Sequence, residues 1–216
     1  MRDVVRGVVI GLVVLALLGA IASRAGWIET SLPRPEGTGP WLLSRATGIT
    51  AFLALSLDVI LGLVMSTRAG DRWFTRATTI DLHGWLSPVA LVLILVHAVV
   101  LLADRYIAFD VVDLVVPFAS PFRATAVGLG VIAAYLALVV HASFALRKRI
   151  GTKTWRRLHV LSFAAFITAA VHAIAAGTDA ARPWFVALYA TPLVIVIALV
   201  VRRAHGLRVS HALRPR

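Results

Sequence analysis

The sequence contains no cysteine, and this absence removes several kinds of chemistry at once. Disulfides, iron–sulfur clusters, thiolate metal sites and cysteine nucleophiles are all excluded. Any strong metal ligand must therefore come from the 7 histidines or the 10 acidic residues.

Charge is also scarce, because charged residues make up only 15% of the 216, against about 25% in a typical soluble domain. Hydrophobic residues make up 60%, and apolar runs of near-membrane length recur along the chain. A soluble globular protein is therefore excluded. The 22 Lys and Arg outnumber the 10 Asp and Glu. Since this positive charge is divided among short connecting segments, it reports membrane topology rather than nucleic-acid binding.

Six segments are apolar and long enough to cross a bilayer core about 30 Å thick as helices. They are residues 4–22, 41–65, 83–103, 125–146, 158–176 and 184–201. None alternates with period two as a barrel strand would, so the sequence predicts an all-α, six-helix membrane bundle forming one domain over 1–216. The first segment also resembles a signal peptide. We expect it to be retained, because a sixth span places both termini on one side.

The orientation of this bundle follows from its basic residues. If all six helices cross, 16 of the 22 Lys and Arg fall on the side of the N-terminus. The positive-inside rule then places both termini in the cytoplasm of a multi-pass protein of the plasma or inner membrane. The connecting segments are too short to form a soluble domain, so we expect no flavin or nicotinamide domain in this chain.

Four histidines fall in two of the predicted spans, His83 and His97 in one, His159 and His172 in the other. An intramembrane ionisable residue is costly and by default functional, although any single one can instead hydrogen-bond a neighbouring carbonyl. The 14-residue spacing of the first pair separates its members by roughly 21 Å along a helix. Because both spans run in the same direction, His83 is level with His159, and His97 with His172. Two transverse imidazole pairs, one near each membrane face, fit bis-imidazole ligation of two haem irons.

Helical phase suits one of these spans better than the other. A spacing of 14 leaves the imidazoles of His83 and His97 about 40° apart around the axis, whereas the spacing of 13 leaves His159 and His172 roughly 140° apart. We therefore expect the span 158–176 to bend, to tighten locally, or to carry His159 on a frayed first turn.

The stretches around these histidines resemble the ferric reductase-like transmembrane domain. This is the haem-binding core of ferric reductases, NADPH oxidases and the haem subunit of bacterial periplasmic methionine sulfoxide reductase. The similar stretches are Ser44-Arg45-Ala46-Thr47-Gly48, His83…His97, Val115-Val116-Pro117-Phe118, Trp155-Arg156-Arg157-Leu158-His159 and His172…Gly177-Thr178-Asp179. They cover most of the chain and are most similar to stand-alone bacterial members. The resemblance implies two b haems, the inner one held by His83 and His159 and the outer one by His97 and His172.

Three further polar residues are candidates for a role near such cofactors. Arg45, at the start of its span, either makes bidentate hydrogen bonds to the propionates of the outer haem or anchors the helix at the membrane interface. Asp58 is interpreted first as a neutral acid bonded to a nearby Ser or His, and second as a proton or quinol contact. His141 lies at a similar depth and is a candidate partner for Asp58. We favour a structural role for His141 over one as a haem ligand.

Two functions follow from these features. The first is a membrane cytochrome b that carries electrons from a cytoplasmic flavoprotein or a membrane quinol to an extracytoplasmic acceptor. Such a chain is an oxidoreductase component with redox partners and lipid around it. The alternative is a haem-free transporter or assembly factor whose intramembrane His and Asp handle a metal or protons. The matched depths of the four histidines favour the cytochrome.

Overall fold

The computed structural model describes residues 39–71, 73–105, 107–177 and 182–212, with side chains up to His205 in the last range. The predicted span 4–22 lies outside the described residues. Within these ranges every regular element is a helix, which confirms the all-α prediction. The helices are α1 Gly39–Thr67, α2 Arg76–Leu101, α3 Val111–Val115, α4 Ala124–Ala145, α5 Arg147–His159, α6 Leu161–Ala176 and α7 Pro183–Ala212.

Four of these helices, α1, α2, α4 and α7, are long and apolar enough to cross a membrane. The count rises to five if the bent pair α5 and α6 forms one span. Large apolar side chains on their outer faces are exposed, including Leu95, Ile167 and Val194 at 63%, 56% and 64%. Because a soluble monomer rarely exposes so much contiguous apolar surface, these faces suit lipid, as in a multi-pass membrane protein.

Helix α2 begins earlier than the hydropathy pattern predicted. Thr75 caps its first turn by accepting a hydrogen bond from the backbone N–H of Thr78, which satisfies one of the donors left free at a helix start. The helix therefore starts at Arg76, and His83 lies two turns inside it rather than at its first residue.

The predicted span 158–176 is broken in the structure. Its first residues belong to α5, which extends from Arg147 through the basic segment interpreted above only as a connection. Val160 forms a turn, and α6 continues from Leu161 at an angle of 40° to α5. Of the three distortions expected for this span, the structure shows the bend, and it lies at Val160, directly after His159.

Helices α1, α6 and α7 enclose the main core. Their buried side chains are Phe52, Val59, Leu63, Phe166, Ala170, Phe185, Tyr189 and Val196. A second cluster joins α1 to α2 through Ala51, Ala54, Leu86, Val89, Ala90 and Leu93. Helix α4 packs chiefly along α6, so the bundle consists of two helix pairs, α1 with α2 and α4 with α6. The histidines of α2 and α6 lie where these two pairs meet.

The connection between α2 and α4 folds back over the end of the bundle that contains His97. Asp110 and Asp113 form a capping box at the start of α3, and Phe109 packs edge-on against Phe122. The hydroxyl of Tyr135 on α4 donates to the carbonyl of Val115. This connection thereby covers one side of the space between α2 and α6.

Candidate functional site

The structure brings together the histidines that the depth argument paired. The ring centroids of His83 and His159 lie 6.1 Å apart, with the planes at 84°. Those of His97 and His172 lie 6.0 Å apart, with the planes at 72°. Helix α2 thus supplies one member of each pair, and the second members come from the end of α5 and from α6.

Three of the four imidazoles donate to a backbone carbonyl of a neighbouring helix. Nδ1 of His97 lies 2.7 Å from the oxygen of Ser44, Nδ1 of His172 lies 2.7 Å from that of Ala126, and Nδ1 of His83 lies 3.0 Å from that of Asp58. Since a carbonyl oxygen only accepts, each Nδ1 must carry the proton. This leaves the lone pair on Nε2, the arrangement typical of metal-binding histidines.

A glycine lies four residues after each of these carbonyls and lets the ring approach the helix. A Cβ on Gly48 would come within 2.8 Å of Nδ1 of His97, and one on Gly130 within 2.7 Å of Nδ1 of His172. Beside Gly62 a Cβ would meet His83 at 3.5 Å, an ordinary contact. We call each carbonyl with its glycine a seat. The three seats are Ser44 with Gly48, Asp58 with Gly62 and Ala126 with Gly130.

His159 is held differently from the other three histidines. Its ring lies 5.3 Å from that of Trp155 one turn earlier in α5, and Trp155 in turn packs against Phe144 of α4. The guanidinium of Arg147 covers both Phe144 and Trp155. Among the described residues, no acceptor reaches the buried indole N–H of Trp155. This N–H could therefore bind an anionic group placed near His159.

His97 and His172 both line a cavity of about 230 Å³. Its walls are mostly apolar, with polar side chains supplied by Ser44, Arg45, His97, His172 and Tyr189. Ile107, Phe109 and Phe122 of the connection close it from the side. An apolar slot between helices with a few converging polar groups is the usual form of a cofactor site in a bundle.

Arg45 is one of the residues that line this cavity. Its guanidinium stacks over Trp41 at 4.5 Å and near Phe185 at 5.9 Å. The two roles expected for Arg45 are therefore compatible. The aromatic contacts anchor its side chain, and its guanidinium lies in the wall of a cavity where it could bind an anionic group.

The candidate pairing of Asp58 with His141 is wrong, and the histidine beside Asp58 is His83. Oδ1 of Asp58 lies 2.8 Å from Nδ1 of His83, whereas Nδ1 of His141 lies 3.3 Å from the hydroxyl of Ser87. Packing between α1 and α2 decides this choice, because it places the carbonyl and the carboxylate of Asp58 at the same imidazole. His141 is bound to a hydroxyl one turn further along α2.

The separation within each pair suits ligands on opposite faces of a haem iron. With a metal–nitrogen bond of about 2 Å and about 1.1 Å from that nitrogen to the ring centre, two axial imidazoles have centroids about 6.2 Å apart. The observed 6.1 and 6.0 Å agree with this value. In the described part of the chain, no group of three or more His, Asp and Glu is arranged so that it could hold a metal ion by itself. Each pair offers two ligands, which fits a metal that brings its other ligands with it.

Sequence reasoning missed the seats, although a signal for them was present. Gly48 and Gly62 are 14 residues apart, as are His83 and His97, and α1 and α2 are adjacent antiparallel helices. Equal spacings on such helices bring both residue sets into register. In the sequence, Ser44 is recognisable only as part of the Ser44–Gly48 stretch. The four-residue spacing of Trp155 and His159 is one helical turn, and it already indicates a contact between their side chains.

Comparison with known proteins places the chain in one family. A family model described as Domain of unknown function (DUF8596) matches residues 40–179, and the chain belongs to that family. The matched range contains all four paired histidines and the three seats. No curated protein and no solved structure matches the chain.

Proposed function

We propose that this protein is a membrane cytochrome b that carries electrons across a bilayer through two haems. His83 and His159 bind one haem iron, and His97 and His172 bind the other, each through Nε2. The observation that carries this proposal is the pair of imidazole separations, 6.1 and 6.0 Å, each close to that of two axial ligands. A b haem supplies an iron that takes up and releases one electron.

The residues of the chain hold these ligands in place before any cofactor arrives. Carbonyls at three seats fix the Nδ1–H tautomer, so Nε2 is available without rearrangement. Fixing ring orientation through the second nitrogen is a general device in metal sites. At the cavity, Arg45 is placed to pair with haem propionates, since a guanidinium binds carboxylates in a bidentate fork.

Apolar side chains are buried at depths between the two pairs. Phe52 of α1 and Phe166 of α6 stack with centroids 5.9 Å apart and are almost completely buried, and Ala90 of α2 lies buried between its two histidines. An electron can cross such an apolar layer, whereas a hydrated ion would pay a large desolvation cost.

The topology proposed for this function has six spans, with both termini in the cytoplasm of the plasma or inner membrane. The His83–His159 pair then lies near the cytoplasmic face and the His97–His172 pair near the outer face. Reducing equivalents enter inside from a flavoprotein or a membrane quinol and leave outside to an acceptor. Resemblance to the ferric reductase-like transmembrane domain supports this arrangement.

The test is a dithionite-reduced minus oxidised visible spectrum of the purified protein, with haem counted per chain. We expect two b haems in the wild type and one each in His97→Ala and His159→Ala. His141→Ala is the matched control, because His141 is intramembrane but belongs to neither pair, and it should retain both haems. A wild type that binds no haem despite ample supply would refute the proposal and favour a haem-free transporter or assembly factor.

A further inference from the structure

The two histidines of α2 lie in equivalent seats that differ in one feature. Both rings donate to a carbonyl of α1 and lie beside the glycine four residues later. At His97 the second oxygen near Nδ1 is the hydroxyl of Ser44, at 3.1 Å. At His83 it is the carboxylate Oδ1 of Asp58, at 2.8 Å. The two imidazoles thus face oxygens of different charge.

The carboxylate of Asp58 lies beside the proton-bearing nitrogen of His83. Its Oδ1 is buried 2.8 Å from Nδ1, and among the described residues it has no hydrogen-bond partner, because the Nδ1–H donates to the carbonyl oxygen of Asp58. A carboxylate this close to the ring favours positive charge on the imidazole and so raises the donor strength of Nε2. The hydroxyl of Ser44 has a weaker effect, because it is neutral and donates its own proton to the carbonyl of His97 at 3.2 Å.

We propose that Asp58 acts through His83 to give the His83–His159 haem the lower reduction potential, so that electrons pass downhill to the His97–His172 haem. This inference rests on the proposed function. A more basic axial imidazole stabilises the oxidised iron, and hydrogen bonding to the axial ligand is one of the levers by which a protein sets haem potential. The resulting gradient gives the electron path a direction, away from Asp58.

The surroundings of the His97–His172 pair act in the same direction as the carboxylate of Asp58. An oxidised haem iron carries one more positive charge than a reduced one, so a low dielectric favours reduction. His97 and His172 line a largely apolar cavity, and Arg45 adds a cation to its lining. The side chain of His83 is 23% exposed. The basic residues of α5 oppose this trend only weakly, because they are exposed and therefore screened. They are Arg147, Lys148, Arg149, Lys153, Arg156 and Arg157.

The experiment is a spectroelectrochemical titration of the two-haem wild type, of Asp58→Asn and of Ser44→Ala. In Asp58→Asn the lower of two one-electron waves should rise by a tenfold change in the ferric–ferrous equilibrium, which is about 59 mV. The upper wave should stay in place, as should the low-spin bis-imidazole spectrum. Ser44→Ala, the matched change at the other seat, should leave the lower wave unmoved. If Asp58→Asn shifts neither wave, or only the upper one, the proposal fails while the cytochrome function stands.

A second measurement covers the case in which Asp58→Asn does not assemble. His97→Ala retains only the haem of the Asp58 pair, and His159→Ala only the other. The haem in His97→Ala should titrate at the lower potential, and the opposite order would overturn the proposal. A wild-type protein that binds no haem would instead refute the proposed function itself.

Discussion

The imidazole of His97 lies so close to Gly48 that a β-carbon there would meet Nδ1 at 2.8 Å. This contact lets the ring reach the carbonyl of Ser44 one helical turn earlier, at 2.7 Å. A small residue on α1 thereby determines the position of a candidate ligand on α2. The same relationship recurs between His172 and Gly130 on a different pair of helices. This recurrence indicates a common device for holding an imidazole rather than an accident of packing.

Gly48→Ala should weaken the His97–His172 haem and spare the other. The added methyl group overpacks the seat, at a cost of about 1–3 kcal/mol, which displaces the ring from its carbonyl. Haem counted per chain during a haem titration measures the loss. Gly62→Ala is the matched control, since a Cβ there meets His83 at an ordinary 3.5 Å and should be tolerated. Equal behaviour of the two variants would show that the close approach at Gly48 does not matter.

Arg45→Gln should lower the affinity of the His97–His172 site for haem by about tenfold, because it removes a charge-assisted contact worth about 1.5 kcal/mol. The rate of haem transfer to apomyoglobin reports this change. Arg123→Gln serves as the comparison, since Arg123 lies at the same end of the bundle and donates to the carbonyls of Ala175 and Ala176 instead. If Arg45 is only an interfacial anchor, Arg45→Gln will lower thermal stability while haem transfer keeps its wild-type rate.

Gly151→Ala should selectively weaken the His83–His159 haem. Gly151 breaks α5 with φ of 78° and ψ of 156°, in a region open essentially only to glycine, and an L-residue there costs about 1–3 kcal/mol. A Cβ would meet no described atom within 4 Å, so the strain is conformational. Because the break orients the turn that carries Trp155 and His159, the strain reaches that pair. Reduced spectra and melting temperatures of Gly151→Ala and of the neighbouring Thr152→Ala separate this effect from general damage to α5.

Ile167→Lys should prevent stable membrane insertion. Ile167 lies between His159 and His172 along the chain, and its side chain is 56% exposed. A lysine near the bilayer centre costs about 2.5–3.5 kcal/mol on insertion scales. The membrane-integrated fraction after alkaline extraction measures this, with Ile167→Leu expected to behave as the wild type. Normal integration of the lysine variant would mean that this face does not contact lipid.

Some features of the site were readable from residue types and spacing alone. The depth argument needed only the helical rise and the direction of two spans, and it paired His83 with His159 as the structure does. The bend near His159 is one of the three distortions predicted from the misfit between 13 residues and the 3.6-residue turn. Both arguments use only positions along each helix and the direction in which it runs, and these are nearly independent of how neighbouring helices pack.

Other features depended on how neighbouring helices pack. Asp58 had two histidines at similar depth, and only the packing of α1 against α2 placed its carboxylate beside His83 rather than His141. The cap at Thr75 extended α2 beyond its apolar run, since a hydrogen-bonded turn does not need apolar side chains. Helix α5 formed in a basic segment that hydropathy treats only as a connection.

The amino-acid sequence by itself determined that this chain is all-helical, that several of its helices suit a membrane, and that four histidines fall at two depths. Run length, composition and helical rise are local properties, so they can be read along the chain. The tertiary structure alone decided which backbone carbonyls and glycines receive the imidazoles, and that a carboxylate lies at one seat and a hydroxyl at another. Those contacts join residues far apart in the chain, and their geometry depends on the rotation of one helix against the next.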